Sequence, residues 1–297
     1  MHAALGLAIA LTVLQAAPAS AAALDRIKQA GKIVLGYRAD ARPFSFKDDA
    51  GNPTGYSVTL CQQVADGVKA ELGGGELAVE WVAVTTEDRF EAVAQGKVDL
   101  VCSSDTVTLE RRKQVSFSMP VFPSGIAALL RTDSPSALQE VLSGRPPSTP
   151  IWRGSPAQIL EDKTFAVVKG TTGEKWLAGR INDFQLPTKV VTVDSYEAGI
   201  QSVVDGGASV FFGDRPMLMD AAATSPAAGE LTVLEKHFTF EPIALSVPKN
   251  DDDFRLVVDQ ALSKYFQSDA FLDAYMKWFG TPDAATIMFY RQNALPN

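Results

Sequence analysis

Histidine and cysteine are scarce in this 297-residue chain, with His2, His237, Cys61 and Cys102 the only examples. They lie too far apart to make a recognisable zinc site, and no Ser-His-Asp arrangement is readable. Positive charge is also short. Lys and Arg number 27 against 35 Asp and Glu, a net charge of −8, which argues against binding a phosphate backbone. Beyond the N-terminus no hydrophobic run is long enough to span a bilayer. Internal repeats and low-complexity domains are absent as well.

What is present begins at the N-terminus. Residues 3–16 are almost wholly apolar, and Ala19, Ser20 and Ala21 fit the small-residue pattern of signal peptidase cleavage. The preceding n-region holds His2 but no Lys or Arg. A signal peptide over residues 1–21 is predicted, leaving about 275 residues, enough for two lobes of ordinary domain size. Those first residues carry no Asp, Glu, Lys or Arg, so the charge of −8 survives their removal.

The most informative stretch is 98–120. Asp99–Cys102 is a short apolar run that reads as a buried strand. The hydroxyl-rich residues Ser103–Thr106 read as a turn, and Thr108 as the N-cap of a helix starting near Leu109. A strand that feeds hydroxyls and free N–H groups into a helix start is an anion receptor. Arg111 completes it, because a guanidinium meets a carboxylate with two bonds. Ser104, Thr106 and Arg111 thus form a candidate carboxylate clamp; an ordinary solvated strand-to-helix turn is the alternative.

This stretch resembles the D-x-x-x-(S/T)-x-(S/T)-x-T-x-x-R pattern of periplasmic amino-acid-binding proteins, the type II, family 3 solute receptors of ABC importers. The resemblance runs from about Leu24 to the C-terminus. It includes Pro43-Phe44, the Gly51 to Gly55-Tyr56 step, Gly170-Thr171-Thr172 with Glu174, the run from Gly206 to Asp214, and Tyr275 with Trp278-Phe279. It implies an α/β fold of two lobes, each a mixed sheet flanked by helices, joined by two crossing segments. Residues 22–123 and 241–297 are expected to form lobe 1, and 124–240 lobe 2. The apolar residues Phe117–Pro123 read as the first crossing. A Pro/Ser/Gly-rich segment within 132–162, carrying Trp152, is longer than the family's usual connection.

By the same resemblance Ser104, Thr106 and Arg111 hold a ligand's α-carboxylate and Asp214 its ammonium. Thr171 and Thr172 offer hydroxyls and helix-start amides, and Phe46 is a candidate aromatic wall. Thr86 is expected to cap the helix carrying Arg89. Arginines at the positions of Arg38 and Arg89 resemble the glutamate/aspartate-binding branch. A buried second carboxylate must be paired, and two arginines facing one cleft repel each other unless an anion lies between them. Two departures oppose this: Tyr196 stands where that branch has histidine, and Asp105 stands inside the clamp, where it is expected to point outward.

Cys61 falls on the first long helix and Cys102 at the end of a strand expected nearby. An exported chain permits a disulfide between them; two free buried thiols are the alternative. The function implied is a periplasmic, monomeric receptor for an L-amino acid, leaning to glutamate or aspartate, that serves an ABC permease in the inner membrane. It uses no cofactor, metal or nucleic acid, and is not an enzyme. The alternatives are a receptor for another small carboxylate, or a dehydratase-like enzyme on the same fold.

Overall fold

The computed structural model describes residues 22–145 and 156–296. The predicted signal peptide and most of the Pro/Ser/Gly-rich segment, with Trp152, lie outside them. The strands of the first part are β1 (Lys32–Arg38), β2 (Asp40–Ala41), β3 (Ser45–Lys47), β4 (Pro53–Thr54), β5 (Ala78–Val84), β6 (Leu100–Thr106) and β7 (Ser116–Ser124). Next come β8 (Ile126–Arg131), β9 (Thr164–Val168), β10 (Lys189–Val193), β11 (Val210–Asp214) and β12 (Leu231–Val233). The last is β13 (Glu241–Val247).

Two five-stranded mixed sheets result, in the orders β5-β1-β6-β13-β7 and β10-β9-β11-β8-β12, with β2-β3-β4 as a small third sheet. The chain changes sheet between Ser124 and Ile126 and returns between Val233 and Glu241. The expected crossing at Phe117–Pro123 is therefore a strand of the first sheet. Its apolar residues are consumed by pairing with β13, from Pro242 opposite Pro123 to Ser246 opposite Phe117. The change of sheet falls on Gly125, where a Cβ would stand 2.1 Å from the Thr239 carbonyl oxygen. Only glycine lets the outgoing and returning chains pass this closely.

Strand alternation explains the packing of β6. Leu100 and Cys102 face one core layer, with Ile33, Leu35 and Val64, while Val101 faces another with Val93, Val98 and Phe117. Ser103–Thr106 continue this strand and form no turn, because β13 pairs beside them, with Ile243 opposite Thr106 and Ala244 opposite Asp105. The helix expected at Leu109 is a single 3-10 turn, Arg111–Lys113, although Thr108 Oγ1 does accept the Arg111 N–H at 3.1 Å. Cys61, on the helix Tyr56–Glu71, and Cys102 are joined as a disulfide.

Aromatic side chains fill the space beneath the first sheet. Phe44 and Phe122 lie 5.1 Å apart, and Tyr56 donates its hydroxyl to the Val121 carbonyl at 2.9 Å. Tyr290, on a C-terminal helix (Ala284–Asn293) that the sequence reading missed, donates to the same carbonyl at 3.0 Å. The second sheet has its own apolar layer, which includes Ile126, Phe165, Val167 and Phe212.

Candidate functional site

A narrow cleft lies between the sheets, lined from both. The first sheet contributes the C-terminal ends of β1 and β6, and the second contributes the end of β11 and the start of the helix Thr172–Phe184. Ligands of open α/β sheets bind at such strand ends. Arg38, Thr86, Arg89, Ser104, Thr106 and Arg111 reach it from one side; Thr171, Thr172, Tyr196 and Asp214 reach it from the other. Phe46 does not line it. That ring is buried beneath Trp278 at 5.6 Å, with the Arg42 guanidinium 4.0 Å above it, so the expected aromatic wall belongs to the core.

The three arginines differ in their partners. Arg38 gives Nε and Nη2 to the two oxygens of Asp40, at 2.8 and 2.9 Å. Arg89 is buried and gives Nε to Asp105 Oδ1 at 2.6 Å. Arg111 makes no ion pair among the described residues and is anchored through Nη1 to the Thr106 carbonyl at 2.8 Å. Burial lowers the Arg111 pKa from its ordinary value, the neighbouring Arg89 adds to this, and Asp105, Asp214 and Glu241 oppose it. Both Arg89 and Arg111 sit over the Phe90 ring, at 4.2 and 5.2 Å.

Asp105 therefore does not point outward. Alternation does turn it away from Ser104 and Thr106, but that face is covered by the helix Arg89–Ala94, and the neighbouring β13 supplies Ser246 there. Asp105 is 1% exposed, and its second oxygen accepts from Ser246 Oγ at 2.8 Å. Thr86 is not the cap of that helix either. Thr85 Oγ1 accepts the Asp88 N–H at 3.2 Å and the Thr85 N–H donates to Asp88 Oδ1 at 2.7 Å. Thr86 instead accepts Arg89 Nη1 at its carbonyl.

On the opposite wall, Thr171 caps the helix Thr172–Phe184. Its Oγ1 accepts from the Glu174 N–H at 3.3 Å, and Glu174 Oε2 in turn accepts the Gly170 N–H at 2.7 Å. This resembles a capping box, but the return bond reaches the residue before the cap. The Thr171 hydroxyl is also donated to the Val168 carbonyl at 2.7 Å. Thr172 donates its hydroxyl to Glu241 Oε2 at 2.6 Å.

Asp214 accepts from Ser124 Oγ at 2.9 Å, and its carboxyl pKa is pushed up to about 6 by burial and by the nearby Glu241. Glu241 is the residue the sequence reading missed. It is a buried acid opening the return strand, and a charge followed by Pro242 in an otherwise apolar crossing was its one visible sign. Met217, which accepts a long contact from Ser104 Oγ at 3.5 Å across the cleft, gave no sign. Two further ion pairs bridge the sheets at the rim: Arg42 to Asp220 at 3.0 Å, and Lys175 to Glu110 at 2.7 Å.

One wall thus presents a guanidinium with no direct ion pair among the described residues and with neighbouring hydroxyls, and the other a half-buried carboxyl. That arrangement suits a small zwitterion. Known proteins share the chain's pattern. It is 30% identical over 260 residues to the L-glutamate/L-aspartate-binding protein of Pseudomonas aeruginosa, covering 87% of this chain and 80% of that protein. It is 26% identical over 268 residues to the glutamate/aspartate import solute-binding protein of Escherichia coli, covering 90% and 82%. The crystal structure of an ancestral amino acid-binding protein, a precursor of cyclohexadienyl dehydratase, superposes with a TM-score of 0.70 at 28% identity. It covers 87% of this chain and all of that one. Residues 33–281 match the family model of bacterial extracellular solute-binding proteins, family 3. With most of its length matched and both sheets accounted for, the chain belongs to that family.

Proposed function

We propose that this chain is an extracytoplasmic receptor for an L-amino acid, leaning to glutamate and aspartate, that delivers its ligand to an ABC-type permease. The observation that carries this reading is the placement across one cleft of Arg111, which makes no direct ion pair among the described residues, opposite the Asp214 carboxyl. The α-carboxylate is assigned to Arg111, Ser104 and Thr106, and the α-ammonium to Asp214. Arg38 and Arg89 face the ligand's side chain, with Thr86, Thr171, Thr172 and Tyr196 closing the remaining walls. The lobes are taken as 22–123 with 241–297, and 124–240. A ligand touching both lobes binds the closed arrangement better than the open one, and so shifts the hinge equilibrium toward closure. A periplasmic monomer that presents the closed form to an inner-membrane permease completes the reading. The relatives named as glutamate/aspartate-binding proteins support the ligand class.

One observation favours a second reading. A carboxyl with a pKa near 6 has the proton affinity of a general acid, and a similar ancestral structure is a precursor of a dehydratase. The receptor reading is preferred because Asp214 faces a carboxylate clamp that suits holding a zwitterion. Calorimetric titration of ligand-free protein with the common L-amino acids tests it, with product analysis after long incubation. Heat of binding without product supports the receptor. Turnover of a small carboxylate that is lost in Asp214→Asn establishes the enzyme instead.

A further inference from the structure

The distal end of the cleft carries its own anions. Arg89 is 4% exposed and Asp105 1% exposed, and their contact at 2.6 Å is the most buried ion pair among the described residues. Arg89 commits Nε to Asp105 and Nη1 to the Thr86 carbonyl, while Nη2 bonds to no protein atom among the described residues. Arg38 repeats the pattern: Nε and Nη2 go to Asp40, and Nη1 is left over. Each guanidinium belongs to a cleft-lining residue and has one terminal nitrogen without a protein partner among the described residues, yet its charge is already balanced from within. Asp105 is not adjustable at this position. β13 holds its backbone opposite Ala244, and Ser246 Oγ fixes its second oxygen at 2.8 Å.

A charged acceptor exceeds a neutral one chiefly through its attraction to net positive charge. An internal carboxylate on the same guanidinium removes most of that difference and keeps the hydrogen bond. We infer that Asp105 is a specificity-determining residue, a positioning group acting through Arg89, which makes the cleft accept carboxamide side chains nearly as well as carboxylates. The ligand class is then the four amino acids glutamate, aspartate, glutamine and asparagine, and not the two acids alone. The inference rests on the amino-acid receptor reading above and refines its ligand class.

The test is the ratio of dissociation constants for glutamine over glutamate, and asparagine over aspartate, by calorimetry at fixed ionic strength. In the wild type each ratio is expected to stay within about tenfold, one decade being 1.4 kcal/mol. Asp105→Asn keeps the shape and the Ser246 contact but removes the charge, so the ratio for the better-bound pair is expected to rise at least tenfold. Asp105→Glu, which restores the charge, is expected to return it toward the wild-type value. A purely structural role would weaken acid and amide binding together and leave the ratio unmoved. A wild-type ratio above a hundredfold overturns the inference even where Asp105→Asn fails to fold. An unchanged ratio in folded Asp105→Asn overturns it too, while the receptor reading stands. A wild type that binds no amino acid overturns both.

Discussion

Tyr196 and Asp214 hold one another through a single phenol oxygen. The Asp214 backbone N–H donates to it at 3.0 Å, and its own O–H points back to Asp214 Oδ2 at 3.5 Å. The ring reaches this position because the intervening residue of β11 is Gly213, where a Cβ would lie 2.8 Å from Tyr196 Cε1. Burial and then Asp214 raise the phenol pKa well above its ordinary value, so Tyr196 stays a neutral donor. A histidine at this position would bring a titrating group; tyrosine leaves the proton chemistry of this wall to Asp214.

That carboxyl sets a pH dependence. Its folded pKa, about 6, lies above the ordinary 3.8, so the folded chain holds a proton over a window where the unfolded chain has lost it. The stability this group contributes is fully present below about pH 4 and is lost as pH rises through 6. Ligand-free Asp214→Asn is therefore expected to exceed the wild type in stability above pH 6, with the difference shrinking toward pH 4. Urea denaturation at several pH values measures it. A difference that does not change with pH removes the raised pKa from this account. Amino-acid affinity should move the other way, tightening from pH 5 to 7 as Asp214 ionises against the ligand's ammonium.

In the proposed receptor, Arg111 meets the ligand's carboxylate. Arg111→Ala is expected to weaken amino-acid binding by about 2–5 kcal/mol, as when one member of a buried charge pair is removed. The thermal midpoint of the ligand-free protein should change little. Titration calorimetry beside a melting curve separates the two, and unaltered affinity would remove Arg111 from the clamp.

Arg89 has a structural debt that Arg111 lacks. Arg89→Ala leaves Asp105 charged and buried with only Ser246 as a partner, and is expected to destabilise the fold by about 3–5 kcal/mol. The double variant Arg89→Ala with Asp105→Ala should recover a substantial part. Denaturant midpoints of the single and double variants check this. A double-variant loss equal to the sum of the Arg89→Ala and Asp105→Ala losses would mean that the pair is not coupled.

The disulfide ties residues 41 apart in sequence. Closing a loop of that length removes enough unfolded-state entropy to stabilise by about 4 kcal/mol in the chain-entropy model. Cys61→Ser with Cys102→Ser is accordingly expected to lower the unfolding free energy while amino-acid affinity holds, since neither sulfur lines the cleft. Chemical denaturation beside calorimetry gives both quantities, and unchanged stability would count against the bond.

Much of this could be read from local pattern. The strands β1, β5, β9 and β10 were legible from apolar runs and alternation, and the first long helix from the glycine step before Tyr56. Thr171 was legible as a helix-start residue from the tight turn Gly170-Thr171-Thr172 that follows an apolar run. The stretch around Arg111 was legible as part of the cleft because hydroxyls and an arginine stand close together in sequence. These are short-range facts, and short-range geometry needs no knowledge of the rest of the chain.

What sequence could not decide was the far side of each strand. Whether Asp105 meets solvent or Arg89 depends on which helix covers that face of β6, and whether Ser103–Thr106 turn or extend depends on β13, which returns from about 140 residues later. Phe46 stands in the loop expected to supply an aromatic wall, yet Trp278 packs on it. Glu241 gains meaning only when the return strand brings it to Thr172 and Asp214. The sequence by itself determined the family and the strand-end position of Asp214, and it set hydroxyls beside Arg111. Tertiary structure alone decided the charge balance of the cleft, because a buried ion pair is made by residues that different elements carry to one place.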